Sequence, residues 1–251
     1  MDFEIVAHRG YSAIAPENTL AAFAAAMEGG ANAIEFDVRL CADNVPILIH
    51  DATVNRTTDG TGNVRDLTLE QLKQLDAGLW FSDRFIGERI PTLAETLDFL
   101  QDTPASVCAE IKDGDDWSSE DIERLIETIR APLRGSLRDR NWESRFRIAS
   151  FSDEFVDRVA AIAPTLPRAY YPLTPADYQE KVRQLKSEKD TMLLCEYHLL
   201  LENPHLIKIS RNCCIDVGAW TVDRAEDLEA LVRLGVKQIV TNTLLNSKSN
   251  I

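Results

Sequence analysis

The sequence predicts an α/β fold built on a parallel sheet, and three observations carry this. Short β-rich runs alternate with helical patterns along most of the chain, the runs number eight, and 251 residues suit one closed barrel. Eight strand-and-helix units specify a TIM-type (β/α)8 barrel. The runs are FEIVA (3–7), ANAIEFDV (31–38), SVCAEIK (106–112), FRIAS (146–150), TLPRAYY (165–171), TMLLCEY (191–197), CIDVGAW (214–220) and KQIVT (237–241). Between them, apolar residues recur at helical spacing, as in Leu20/Phe23/Ala24/Met27, Ile122/Leu125/Ile126/Ile129 and Leu228/Leu231/Val232.

A ninth run, 45–50, follows Asp37 after too few residues for the dozen or more that a helical crossover needs. A hairpin turning at Ala42, Asp43 and Asn44 would bring it back antiparallel, with position 36 opposite position 50 and His50 level with Glu35 and Asp37. The other placement makes it a parallel strand after an extended return. The interval of approximately 51–103 breaks the alternation and reads as a small insertion over the C-terminal face of the barrel. It carries a Gly-rich loop, a helical pattern over 67–75 and a loop from Gly78. With no repeat, linker or low-complexity tract, residues 1–251 are expected to form a single domain.

Hydrophobic residues make up 45% and charged residues 27%, as in ordinary globular proteins. A net charge of −14 and a pI near 4.7 argue against nucleic acid or an acidic membrane as partner and favour a small molecule. Five cysteines in no C-x-x-C pattern argue against a disulfide framework or a zinc site and point to a reducing compartment. The N-terminus has no basic region of a signal peptide. No apolar stretch approaches the ~20 residues that span a bilayer. A cytoplasmic protein without stable membrane insertion is the expectation, with its oligomeric state left open.

In such barrels the chemistry lies at the C-terminal strand ends. There the sequence puts His8 and Arg9 on the first strand, Glu35 and Asp37 on the second, Glu110 and Lys112 on the third and Ser150 on the fourth. Residues two apart on a strand share a face, so Glu35/Asp37 and Glu110/Lys112 are pairs that can point inward. Three converging carboxylates repel one another unless a hard cation such as Mg²⁺ or Ca²⁺ joins them. His8 and His50 fall beside these carboxylates and suit acid–base work near neutral pH. His198 and His205 lie in less distinctive surroundings and are read as structural. Arg9 offers a planar fork for phosphate oxygens or an ion pair with Glu17 or Asp37, and Lys112 adds a compact charge. This inventory fits phosphodiester cleavage.

The strings Ala7-His8-Arg9-Gly10, Ala15-Pro16-Glu17-Asn18-Thr19, Glu35-Phe36-Asp37-Val38 and Pro46-Ile47-Leu48-Ile49-His50-Asp51 stand in order, and Thr58-Asp59-Gly60-Thr61-Gly62, Gly87-Glu88-Arg89-Ile90-Pro91-Thr92-Leu93, Glu110-Ile111-Lys112, Ser150-Phe151 and Trp220-Thr221-Val222-Asp223 follow. The chain resembles the glycerophosphodiester phosphodiesterase family over nearly its whole length. The resemblance implies an α/β barrel that hydrolyses glycerophosphodiesters to an alcohol and glycerol phosphate with Mg²⁺ or Ca²⁺. It also implies Glu35, Asp37 and Glu110 as metal ligands, His8 and His50 as the acid–base pair, and Arg9 and Lys112 as phosphate ligands. One histidine would deprotonate the glycerol 2-hydroxyl for attack on phosphorus, and the other would protonate the leaving alcohol; which one starts as base stays open. Phe151 and Trp220 are expected to form an apolar wall of the pocket.

The chain departs from the family at Thr241-Asn242-Thr243-Leu244, where many members read Thr-Asp followed by Pro, and it resembles them only weakly over 190–212. Asn242 is expected to alter packing or a pocket edge. Three rival readings are weighed: a lysophospholipase-D-like or sphingomyelinase-D-like enzyme acting on lipid, a barrel that binds a phosphorylated ligand without turnover, and a glycoside hydrolase in which His8 has no role.

Overall fold

A computed structural model describes residues 3–131, 142–186 and 188–244. Nine strands form: β1 (Glu4–His8), β2 (Ala33–Leu40), β3 (Pro46–Leu48), β4 (Ser106–Ile111), β5 (Phe146–Ser150), β6 (Arg168–Tyr170), β7 (Thr191–Glu196), β8 (Asp216–Trp220) and β9 (Gln238–Thr241). Eight of them, all but β3, pair in parallel around a closed sheet in the order β1-β2-β4-β5-β6-β7-β8-β9, and β9 returns to β1 through Glu4 opposite Gln238. These eight are the predicted barrel strands.

Every connection between successive barrel strands carries helix: α1 (Leu20–Glu28), α2 (Leu69–Leu72) with α3 (Leu93–Leu100), α4 (Ser119–Arg130) with α5 (Trp142–Arg145), α6 (Asp153–Ile162), α7 (Pro175–Leu185), α8 (Tyr197–Glu202) with α9 (His205–Asn212), and α10 (Ala225–Leu234). α4 shows why they form where they do. Ser118 caps its N-terminus in a reciprocal box with Asp121, which contributes about 1 kcal/mol. Its predicted stripe of Ile122, Leu125, Ile126 and Ile129 is buried, and at roughly 1.5–3 kcal/mol per side chain that face outweighs the cap. In α1 Phe23 is buried and Leu20 and Met27 of the expected stripe pack half-buried against the same cluster, while Ala22 and Ala26 are the other fully buried positions, which shifts the face toward Ala22. The reason is the approach of Gly10, where a Cβ would meet the Ala22 carbonyl carbon at 2.7 Å, so alanine must face the loop after β1. All eight residues of β2 are buried, as a strand covered on both faces requires.

β3 is the antiparallel return of β2, with Val38 opposite Leu48, Arg39 opposite Ile47 and Leu40 opposite Pro46. Continued by the Ile49 N–H donating to the Asp37 carbonyl at 3.2 Å, this register sets position 36 opposite position 50, as the spacing predicts. Asn44 supports the turn in a left-handed conformation, φ 56°. Buried Arg39 braces the hairpin, donating to the His50 carbonyl at 2.9 Å and to Asp115 at 3.1 Å.

The β2–β3 hairpin and the chain beyond His50 build a small separate apolar cluster, including Ile47, Val54, Val64, Leu72 and Ile90. The helix expected over 67–75 is reduced to the single turn of α2. The Asp76 carboxylate accepts the backbone N–H groups of Gly78, Leu79 and Gly87, so the chain turns there instead of continuing as helix. α3, within the interval read as insertion, packs Leu93, Leu97 and Leu100 into the main barrel cluster, so the part with its own core ends near Ile90. Among the described residues no helix is long and apolar enough to cross a membrane.

Candidate active site

Alternation along the strands fixes what faces the barrel interior. Small side chains, Ala33, Ala149 and Ala169, are among those buried there, and Cys108 lies two residues before Glu110 on β4. At the C-terminal end Glu35, Asp37 and Glu110 converge, all three buried, with carboxylate oxygens within 4.8 Å of one another. Glu35 and Glu110 are pushed up from ordinary carboxylate pKa values, first by burial and then by the charge of Asp37. Asp37 is pushed up by burial too, but the Arg9 guanidinium and the Lys112 ammonium outweigh it and hold its pKa low. Burial also pushes the Cys108 thiol up to about 12, which keeps it protonated and inert.

Asp37 is clamped by Asn18, whose amide N–H donates to its carboxylate at 2.8 Å while the Asn18 oxygen accepts the Asp37 backbone N–H at 3.1 Å. Arg9 adopts φ 55° and Asn18 φ 58°, left-handed values that cost a non-glycine residue about 1 kcal/mol or more and recur at functional sites. The Arg9 backbone N–H donates to Glu35 at 2.9 Å, its guanidinium donates to Glu17 at 2.9 Å, and its Nε lies 3.1 Å from Asp37 without alignment for a hydrogen bond. Lys112, the residue after β4, forms ion pairs with Glu110 and, at 3.2 Å, with Asp37. Both ion pairs weighed for Arg9 are therefore present.

His8 ends β1, with Nε2 4.0 Å from Glu35. Its Nδ1 lies 2.7 Å from Asn242 Oδ1. Burial first, and then the Arg9 charge, push its pKa below the usual histidine value. His50 Nδ1 lies 2.7 Å from Asp51, and Arg56 donates to both Asp51 oxygens at 2.8 and 3.1 Å and to both Glu17 oxygens at 2.8 and 2.9 Å. A chain of charge thus runs from His50 through Asp51, Arg56 and Glu17 to Arg9.

His8, Arg9, Glu35, His50, Glu110, Lys112, Phe151 and Trp220 line one cavity of about 160 Å³. Phe151 stacks on Tyr171 with ring centroids 4.2 Å apart, and Trp220 meets both edge-on. Tyr171 also donates to Glu110 at 3.3 Å. A larger cavity of about 400 Å³ opens between the loop after β4 and the start of α6, sharing Lys112 but neither histidine. Ser150 donates to the Ile111 carbonyl and braces adjacent strands. His198 bonds Glu196, His205 is exposed, and neither lines the cavity.

Asn242 departs from the expectation. Instead of trimming a pocket edge, it is the hydrogen-bond partner of His8, because β9 delivers the residue after Thr241 beside the end of β1 in the closed sheet. The sequence assigns no role to Arg56, Tyr171 or Asp223, although Asp223 closes one of the family strings. Tyr171 stands two residues beyond Ala169, so strand alternation alone could have put it on the interior face.

The carboxylate trio fits a hard divalent cation. Glu35 Oε1 is buried without a hydrogen-bond partner, an orphaned acceptor that a cation would satisfy, and all the donors are oxygens.

Residues 8–245 match the model of the glycerophosphoryl diester phosphodiesterase family. A glycerophosphodiester phosphodiesterase of Caldanaerobacter subterraneus subsp. tengcongensis is 38% identical over 246 residues, covering 96% of each chain. A putative glycerophosphodiester phosphodiesterase of Bacillus subtilis is 34% identical over 240 residues, covering 95% of this chain and 93% of its own. Among solved structures, an Oleispira antarctica phosphodiesterase in complex with the product sn-glycerol-3-phosphate superposes with a TM-score of 0.84 at 27% identity, covering 96% of this chain and 93% of its own. With a family match that spans nearly the whole chain, relatives of equal length and a site of two histidines over three carboxylates, the chain belongs to the glycerophosphoryl diester phosphodiesterase family and is an enzyme of that phosphodiester-hydrolysing class.

Proposed function

We propose that the chain hydrolyses glycerophosphodiesters to an alcohol and sn-glycerol 3-phosphate, with His8 and His50 as the acid–base pair and Glu35, Asp37 and Glu110 as ligands of one divalent cation, Mg²⁺ or Ca²⁺. The observation that carries this reading is the convergence of both histidines, Arg9 and Lys112 on one cavity over the three carboxylates. The Oleispira antarctica relative holds sn-glycerol-3-phosphate, which supports the same product here.

His8 is the starting base. Its ring faces a neutral amide, and burial together with the Arg9 charge keeps it unprotonated near neutral pH, so Nε2 can accept the proton of the glycerol 2-hydroxyl as that oxygen attacks phosphorus. His50 is the starting acid. Asp51 stands against its Nδ1 and orients the ring, so that Nε2 is placed to give a proton to the leaving alcohol. The products of this half are an alcohol and a cyclic phosphate. Water then opens the ring with the roles reversed: His50 takes the water proton and His8 returns one to the 2-oxygen.

Arg9 and Lys112 hold the phosphate by charge, against a molecule whose net charge is −14. Glu35, Asp37 and Glu110 would hold the divalent cation, which when bound would supply Lewis-acid stabilisation of charge developing at the phosphate. Phe151, Tyr171 and Trp220 exclude water from one side and offer apolar contact to the glycerol or the leaving group. The free thiols of all five cysteines support a cytoplasmic setting.

Incubating the purified protein with glycerophosphocholine tests the reading. Release of sn-glycerol 3-phosphate, abolished by chelator and restored by Mg²⁺ or Ca²⁺, is the expected result; no release at any metal supply would overturn it.

A further inference from the structure

His8 and Asn242 are 234 positions apart in sequence, yet their hydrogen bond is the link that orients the His8 ring. Which atom of the Asn242 amide faces His8 follows from chemistry. The other end of the amide lies 2.6 Å from Asp223 Oδ2, and a carboxylate only accepts, so that end is Nδ2. The oxygen therefore faces His8 and accepts from it, and it also accepts the Ser12 hydroxyl at 2.8 Å. Asp223 cannot swing away, because its Oδ1 accepts the Asn242 backbone N–H at 2.7 Å and the Thr241 hydroxyl at 2.9 Å. An amide oxygen can only accept, so the His8 nitrogen opposite it must carry the hydrogen.

We propose that Asp223 and Asn242 are a positioning pair that fixes the tautomer of His8, holding its proton on Nδ1 so that Nε2 turns its lone pair to the pocket. This rests on the acid–base role read for His8. At His50 a carboxylate one residue away in sequence faces Nδ1 directly. For His8 the carboxylate stands one residue further out, and the neutral amide between transmits its direction without setting a negative charge against the ring.

Asp223→Asn is the discriminating substitution. Oδ1 of the new amide keeps its two donors from Thr241 and Asn242, so its NH₂ group points at the NH₂ group of Asn242. Two donors cannot face each other, and the Asn242 amide must flip. Its NH₂ group then meets His8 Nδ1, which can accept only if the ring proton moves to Nε2, and the lone pair in the pocket is lost. A lost tautomer or second-shell orientation costs at least about tenfold in rate. Asp223→Asn is accordingly expected to lower kcat by at least about tenfold with KM within about twofold, and to move the ¹⁵N NMR pattern of His8 to the Nε2–H form. The double exchange Asp223→Asn with Asn242→Asp restores one amide facing one carboxylate, returns an acceptor to His8 and is expected to recover most of kcat. Asn242→Asp alone sets two carboxylates against each other and is expected to fall with Asp223→Asn.

Wild-type kcat in both Asp223→Asn and Asn242→Ala, with an unchanged His8 NMR pattern, in an enzyme that His8→Ala inactivates, would overturn the proposal and leave the acid–base reading standing. Wild-type turnover in His8→Ala would remove the acid–base reading instead, and the NMR pattern of Asp223→Asn would still decide the tautomer claim.

Discussion

His50 and Asp51 are sequence neighbours whose side chains meet at 2.7 Å, and Arg56 grips both oxygens of the same carboxylate. Every acceptor on Asp51 therefore faces a donor. Replacing it with asparagine must turn an NH₂ group toward either His50 or Arg56, and the ring loses its compensating charge. Asp51→Asn is expected to lower kcat by about 10–100-fold, the usual cost of a lost orienting partner, while KM changes little. Steady-state kinetics check this, and an unchanged kcat would show that His50 needs no partner.

The histidines themselves carry a larger expectation. His8→Ala and His50→Ala each remove a proton-transfer group and are expected to lose more than the ~10²-fold minimum of such groups. Both rings lie at the rim of the barrel and contribute to no apolar cluster, so circular dichroism and melting temperature are expected to stay close to wild type. Turnover near wild type in either variant would remove the two-histidine assignment.

Much of this arrangement is legible in the sequence, for a physical reason. Glu35 and Asp37 share a face by strand alternation, and the short run from Asp37 to His50 rules out a helical crossover and offers a hairpin, the placement the structure takes, whose register levels His50 with them. Local periodicity and chain length carry both facts. Contacts between loops of different strands obey no period. Arg56 reaches Glu17 across 39 positions and Asn242 reaches His8 across 234, and only closure of the barrel brings these ends together. The shift of the α1 face toward Ala22 has a related reason. Alanine beats larger apolar residues at position 22 because the backbone of Gly10, in another segment, needs the room.

The carboxylate trio gives a prediction that does not depend on turnover. A ligand at 100 times its dissociation constant stabilises by about 2.7 kcal/mol, and a chain of this size gains about 2–4 °C per kcal/mol, so saturating Mg²⁺ or Ca²⁺ is expected to raise Tm by roughly 5–10 °C. Glu35 has a folded-state pKa raised by burial and by the charges of Asp37 and Glu110. Its contribution to stability is present below its unfolded value and lost as pH rises through the folded one. Glutamine cannot ionise and keeps that contribution. At pH 8 the metal-free Glu35→Gln variant is expected to melt above metal-free wild type and to gain less from added cation. A metal-independent Tm in wild type, read by calorimetry with and without chelator, would refute the cation site.

Arg56 sets the acid side of the stability profile. Its hydrogen bonds hold the Asp51 pKa far below the ordinary carboxylate value against the opposing effect of burial, and His50 adds to this. Burial opposes ionisation of Glu17 as well, but Arg56 and Arg9 together outweigh it and keep that pKa low. Both folded-state values are depressed. The unfolded chain therefore binds more protons, and stability from these two groups is present above their unfolded pKa of about 4 and lost as pH falls through the folded values. Arg56→Ala removes the main partner of Asp51 and one of the two partners of Glu17, which brings both values back toward ordinary. Urea midpoints measured from pH 6 down to pH 3 are expected to fall less steeply in Arg56→Ala than in wild type, with the difference confined to the region below about pH 4. Parallel slopes would mean that the four hydrogen bonds from Arg56 do not shift these carboxylates, and the charge chain from His50 to Arg9 would then lack its central link.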